Sequence, residues 1–176
     1  PEYGGLGLPA SIYAKIVIRV AGAWMAPVGI FNSHLIMASA IERCGTEEQK
    51  QRFLPLMATG EKRGGIALTE PNAGSDLQAI RSVARREGEH YIINGSKTWI
   101  TNSLYGHMVL LLVKTDPEAQ PRHKGMSLFI ADKRDGFTTG KKFDKLGYKS
   151  IDSAELVFQD YRIPADQLIG GVEGQG

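Results

Sequence analysis

The chain has 176 residues, 42% of them hydrophobic, with 21 Lys and Arg against 19 Asp and Glu, a composition able to bury a core as one or two small domains. A net charge of +2, with the densest basic run, Arg81 to Arg86, interrupted by Ser82, Val83 and Ala84, leaves no stripe for phosphate backbones and argues against a nucleic-acid partner. The single Cys44 cannot form an internal disulfide and the four His have no zinc-type spacing, so no metal is expected, a reducing compartment fits, and Cys44 reads as a small apolar helix residue.

Lys15, Arg19 and Glu42 punctuate the apolar N-terminal third, so no run reaches the roughly 18 residues that a membrane helix needs, and no membrane partner is expected. From Ile12 to about Cys44 apolar residues recur at helical spacing (Ile12, Ile16, Val20, Trp24, then Leu35, Ile36, Ala40), with a break near Pro27 and Gly29; this predicts two apolar helices. Gly45-Thr46-Glu47-Glu48-Gln49 supplies a stop, a Thr cap, early acids and a capping-box Gln, predicting a further helix from Glu47 to about Thr59 that Pro55 kinks.

After Gly60 the pattern changes to short segments rich in β-branched and aromatic residues, separated by Gly, Pro and Asp. Candidate strands are Gly65 to Thr69, Val83 to Arg86, Tyr91 to Asn94, Ser96 to Thr101, Met108 to Thr115, Met126 to Asp132, Phe137 to Phe143 and Ala154 to Tyr161. Asn94-Gly95 between two of them is a type I′ hairpin signal. Short strands without intervening helices predict a barrel or sandwich. The fold class is therefore α+β, an N-terminal helical segment followed by an antiparallel β-barrel or sandwich. The final Gly-rich run, Gly170 to Gly176, reads as a flexible tail, and both ends read as cuts in a longer protein.

Two stretches carry candidate chemistry. Pro71-Asn72-Ala73-Gly74-Ser75-Asp76 leaves a strand through a turn whose Gly74 lets backbone amides approach a ligand and whose Ser75 offers a hydroxyl. It also reads as a plain connection in which Asp76 caps a short turn, and it lacks the Gly-Lys-Ser/Thr ending of a P-loop. In "GSKTWITNS", residues 95 to 103, Trp99 and Thr101 stand two apart on a strand, so they share a face about 7 Å apart. That face reads either as core or as a planar wall with a hydroxyl. Taken with the Gly-Ser turn, it would suit a planar aromatic cofactor carrying phosphates.

The run from Gly65 to Asp76, "GIALTEPNAGSD", resembles the signature of the FAD-dependent acyl-CoA dehydrogenases, and "YIINGSKTWITN" resembles their second hallmark. "PEYGGLGL" (1 to 8), "CGTEEQKQRFLPLMATGE" (44 to 61), "HKGMSLFIAD" (123 to 132), "KKFDKLGYKSIDSAELVFQDYRIP" (141 to 164) and "GGVEGQG" (170 to 176) follow in the family's order. The resemblance implies a partial N-terminal helical domain over 1–62, a central β domain over 63–171 and, from 172 to 176, the start of a linker to a C-terminal helical domain. It implies that Ala67, Leu68 and Thr69 meet the flavin's pyrimidine edge and that Gly74 and Ser75 lie at the FAD phosphates. Trp99 and Ile100 would then lie against the ring, with Thr101 near N5.

The resemblance further implies α,β-desaturation of an acyl-CoA, in the manner of β-oxidation, with electrons passed to an electron-transfer flavoprotein and a homotetrameric assembly. The base in this family is a Glu of the C-terminal domain, so no catalytic residue is assigned within these 176 residues. Glu70 is read as a carboxylate that orients its own loop and Glu173 as solvated. For the substrate, the implied positions are Ser75, with His123 and Lys124 toward CoA and Val28, Gly29 and Asn32 toward the acyl group; loop and packing roles stand beside these. His34 is read as a hydrogen-bonded packing residue. Alternatives are an acyl-CoA oxidase or nitroalkane-oxidase-like enzyme, which would reduce oxygen, and a non-catalytic flavin-binding scaffold. The expected compartment is a bacterial cytoplasm or a mitochondrial matrix, and the 176 residues alone are expected to hold FAD weakly.

Overall fold

A computed structural model describes residues 1–175. Helices α1 (Ala10–Ala23), α2 (Ala26–Cys44) and α3 (Glu47–Ala58) precede seven strands: β1 (Gly64–Ala67), β2 (Val83–Glu87), β3 (His90–Ile100), β4 (Met108–Lys114), β5 (Met126–Asp132), β6 (Phe137–Lys142) and β7 (Ala154–Pro164). The break between α1 and α2 falls at Trp24 and Met25, and Pro27 opens α2, because a missing N–H costs nothing in a helix's first turn. Gly29 lies inside α2. The capping box forms as the sequence predicts: Gln49 N–H donates to Thr46 Oγ1 at 3.3 Å and Thr46 N–H to Gln49 Oε1 at 3.0 Å. Pro55 lies inside α3, which continues to Ala58. Cys44, the last residue of α2, is exposed rather than packed.

The strands form one mixed sheet in the order β1-β4-β2-β3-β7-β6, with β5 on the other edge of β4. β1 and β2 both run parallel to β4, so the sheet is not purely antiparallel as predicted. The long excursion from β1 through the Pro71 to Ser82 loop brings the chain back in the same direction, which a hairpin cannot do. Every residue of β4 from Met108 to Val113 is buried, because each of its faces has a partner. Val109, Leu111 and Val113 enter a core inside the curled sheet with Tyr91, Phe129, Leu156 and Phe158. Met108 and Leu110 face Met37 and Ile41 of α2 and Phe53 and Met57 of α3.

The Asn94-Gly95 hairpin does not form. β3 is one unbroken strand, and the turn that returns the chain from β2 to β3 is at Gly88, with φ 59°. Asn94 instead exchanges hydrogen bonds with Asp160 across a bulge in β7: Asp160 N–H donates to Asn94 Oδ1 at 2.9 Å and Asn94 Nδ2 to Asp160 Oδ1 at 3.1 Å. Gly95 is required because a Cβ there would stand 2.2 Å from Ser82 Oγ. Asn-Gly thus marks a close approach of two paired strands, a demand that resembles a turn in sequence but is set by Ser82, which stands opposite Gly95 just before β2.

Candidate functional site

The second irregularity in β3 is at its end. Lys97 pairs with Leu156 and Ile100 with Ala154, so β3 spends three steps where β7 spends two, and the extra residue is a bulge. Trp99 carries it, with φ 60° and 59% of its surface exposed, while its neighbours Thr98 and Ile100 are both buried. The predicted reason for Trp99 and Thr101 sharing a face, alternation along one strand, is therefore wrong. Bulging turns the indole outward, and Thr101 lies just past the strand, half-buried in the following turn.

β6 bulges at the same level: Thr139 pairs with Leu156 and Lys142 with Ala154. The two bulges flank the same stretch of β7 and let Trp99 meet Phe143 at 4.3 Å between ring centroids, tilted by 33°. An exposed indole held by a positive φ and a stacking partner costs backbone strain of order 1–3 kcal/mol, and no burial of the ring offsets it.

The turn after Trp99 is held from inside. Asn102, at φ 62°, donates from Nδ2 to Gly64 O at 2.7 Å and Ile30 O at 3.0 Å, tying β1 to α2. Asp152, buried, accepts from the amides of Asn102, Leu104 and Tyr105 at 3.1, 3.0 and 2.9 Å. No signal of spacing revealed Asp152, because its partners lie about fifty residues upstream.

On the other side of Trp99 lies the Leu68 to Glu70 segment. Thr98 N–H donates to Thr69 O at 2.9 Å, so the two signature stretches are physical neighbours. Leu68 and Thr69 are half-buried, and among the described residues neither amide is spent on a loop, turn or cap hydrogen bond. Ala67 and Ile100 are buried in the sheet core, so only their backbones could meet a ligand. Glu70 and Ala73 exchange backbone hydrogen bonds at 2.8 and 3.1 Å, and Asp76 Oδ1 caps the short 3-10 turn Leu77–Ala79 by accepting from Gln78 N–H at 3.2 Å.

Gly74 and Ser75 are exposed at the apex. A Cβ on Gly74 would touch nothing within 4 Å and its φ is not positive, so nothing in the chain's own packing demands glycine there.

Glu70 takes the role of orienting its own loop. Its Oε2 accepts from Arg81 N–H at 2.6 Å and its Oε1 from Ser82 N–H at 3.0 Å and Lys97 Nζ at 2.8 Å. Burial pushes its carboxyl upward, but the donors from Lys97, Ser82 and Arg81 outweigh this and hold it below the usual range, so it stays ionised. Three donors of its own chain, one of them a buried ammonium, already hold the carboxylate, which is unsuitable for a base.

The remaining predicted positions are spread out. Val28 and Gly29 are half-buried and Asn32 exposed on α2; a Cβ on Gly29 would stand 2.5 Å from Ile151 Cδ1, and Asn32 Oδ1 accepts from Tyr13 Oη at 2.9 Å. His123 and Lys124 are exposed in the 3-10 turn Arg122–Gly125, just before β5. His34 bridges three elements, with Nε2 3.0 Å from Met57 O and Nδ1 accepting from Gly64 N–H at 3.2 Å. Glu173 is not simply solvated as predicted. Its Oε1 accepts from Tyr91 Oη at 2.5 Å, and Gly174 N–H donates to Ser127 Oγ at 3.0 Å, because the tail runs back along the mouths of β3 and β5.

The candidate surface is open. Two recesses of about 500 Å³ are lined by other residues, one by Cys44, Leu128, Ile169 and Val172 and one by Tyr3, His34 and Leu54. Among the described residues no group of three His, Cys, Asp or Glu could hold a metal, and no helix is long and apolar enough to cross a membrane.

An outward indole beside unspent amides and a Gly-Ser apex, on a curled sheet backed by α2 and α3, would suit a planar cofactor of the flavin class, and comparisons with known proteins point to such a class. Residues 1–61 match the acyl-CoA dehydrogenase N-terminal domain and residues 65–161 the acyl-CoA dehydrogenase middle domain. The chain belongs to the acyl-CoA dehydrogenase family. It is 42% identical over 177 residues to the short-chain specific acyl-CoA dehydrogenase of Clostridium acetobutylicum, covering 99% of this chain and 46% of that one.

Among solved structures, an acyl-CoA dehydrogenase from Geobacillus kaustophilus superposes with TM-score 0.92 at 42% identity, covering 99% of this chain and 46% of that one. A glutaryl-CoA dehydrogenase from Mycobacterium smegmatis in complex with FADH2 superposes with TM-score 0.70 at 34% identity, covering 79% of this chain and 34% of that one. The chain spans less than half the length of the relatives it matches.

Proposed function

We propose that this chain is the helical and β portion of an FAD-dependent acyl-CoA dehydrogenase that introduces an α,β double bond into an acyl-CoA thioester, as in β-oxidation, and works as an oligomer with an electron-transfer flavoprotein as acceptor. The observation that carries this reading is the bulge at Trp99, which places an exposed aromatic face beside Thr69 at the one edge where the Leu68 and Thr69 amides are unspent. Bound FAD would supply the redox step by accepting the substrate's β-hydrogen as hydride.

The chain's share is placement and electrostatics. The amides of Leu68 and Thr69 and the Thr69 hydroxyl suit the electron-rich pyrimidine edge of a flavin, where donors stabilise negative charge. Trp99, braced by Phe143, covers a planar ring, and Thr101 follows it in the turn. Gly74 and Ser75 present a bare backbone and a hydroxyl to phosphate. Ser75, His123 and Lys124 are the candidates for the CoA portion, and Val28, Gly29 and Asn32 for the acyl end. The base that removes the α-proton is assigned to none of the 176 residues.

The test is bleaching of the flavin absorbance of the full-length protein by a panel of acyl-CoAs. Bleaching by at least one thioester, with electrons passing to an artificial dye faster than to oxygen, supports the reading. Rapid peroxide formation would favour an oxidase, and a flavin that no acyl-CoA bleaches would favour a scaffold.

A further inference from the structure

Lys97 has no exposed surface, and its partner Glu70 is 4% exposed. A buried ion pair is costly to bury and rarely chosen for stability alone, so its placement asks for a reason. Lys97 Nζ donates to Glu70 Oε1 at 2.8 Å and to Leu68 O at 3.0 Å. The next residue, Thr98, donates its amide to Thr69 O at 2.9 Å. The carbonyls of Leu68 and Thr69 and the side chain of Glu70 are thus gripped by two consecutive residues of β3, immediately before the Trp99 bulge. Glu70 in turn holds the amides of Arg81 and Ser82, where the Gly74 loop returns to the sheet.

Each peptide unit is planar, so anchoring the Leu68 carbonyl sets the direction of the Thr69 amide. The same grip joins the amide edge to the Trp99 wall. We propose that Lys97 and Glu70 form a positioning pair that aims the Thr69 amide and fixes its spacing from Trp99, so that the pair tunes flavin affinity and potential without touching the flavin. This rests on the flavoprotein reading above.

The experiment compares full-length wild type, Lys97→Met and the double variant Lys97→Met/Glu70→Gln, which leaves no unpaired buried charge. FAD dissociation, the midpoint potential of bound flavin, its absorption maxima and the thermal midpoint are read for each. The expected result is a roughly tenfold weaker FAD affinity, as for one misaimed donor. A lower midpoint potential should accompany it in both variants, because the reduced flavin's negative pyrimidine edge loses a donor, with the acyl-CoA KM little changed.

Unchanged affinity and potential alongside a lowered thermal midpoint would overturn the inference in favour of a purely structural pair. So would failure of both variants to fold. Absence of FAD from the wild type would instead overturn the flavoprotein reading itself, which keeps the two failures apart.

Discussion

Asn102 shows how much one residue can carry at this site. Its backbone occupies the left-handed region at φ 62°, its Nδ2 spans α2 and β1 through Ile30 O and Gly64 O, and its amide is held by Asp152. Asparagine tolerates that backbone and offers two donors, one to the buried Gly64 carbonyl and one to the part-buried Ile30 carbonyl of α2. Asn102→Ala is expected to lower unfolding stability by about 2 kcal/mol in urea titrations, since one buried and one part-buried hydrogen bond go and the Cβ strain stays. Asn102→Gly should lose less, because glycine relieves the backbone. The site's polar residues are support of this kind. Glu70 and Asp152 bind amides of their own chain, whereas Trp99, Gly74 and Ser75 are exposed.

Among the elements, β3 decides the most. It pairs with β2 on one side and β7 on the other, carries Gly95 where the sheet passes close to Ser82, and ends in the bulge that turns Trp99 outward. Its first half anchors the tail. Tyr91 is buried, and burial followed by its hydrogen bond to Glu173 pushes the phenol up to about 12, so it remains a donor at any physiological pH. Tyr91→Phe keeps the ring that stacks edge-on against Phe129 at 4.9 Å and removes only the tie to Glu173. Hydrogen exchange at the Gly174 amide is expected to rise about fivefold, one hydrogen bond's worth, with the sheet amides unaffected. Equal protection of Gly174 in both proteins would mean that Ser127 alone holds the tail.

At the scale of the molecule, His34 joins the helices to the sheet. Its Nδ1 accepts from Gly64 of β1, so its Nε2 carries the proton donated to Met57 O at the end of α3. A doubly protonated ring has no acceptor and would face the Gly64 N–H with another N–H. Burial, the largest influence, and the charge of Arg63 together outweigh the Met57 hydrogen bond and lower the imidazole below its ordinary 6.5.

The unfolded chain therefore binds a proton that the folded chain refuses between the folded value and 6.5. Stability is complete above 6.5, falls as pH drops below it, and levels off beneath the folded value. Urea midpoints measured across this range should show that slope in wild type and lose it in His34→Gln.

Local rules settled much of this protein from the chain alone. The capping box at Thr46, the change after Gly60 to short segments rich in β-branched and aromatic residues, and most strand positions depend on neighbours within a few residues, where propensity and pattern act. The family hallmarks likewise announced which stretches matter. What only the tertiary structure decided is how they meet. The Asn94-Gly95 pair serves a close approach between paired strands instead of a turn, Trp99 faces out through a bulge instead of by alternation, and the exposed Glu173 also holds Tyr91. Each depends on a partner in another segment of the chain, and such contacts leave no periodic mark on the sequence because the geometry that creates them exists only once the sheet has curled.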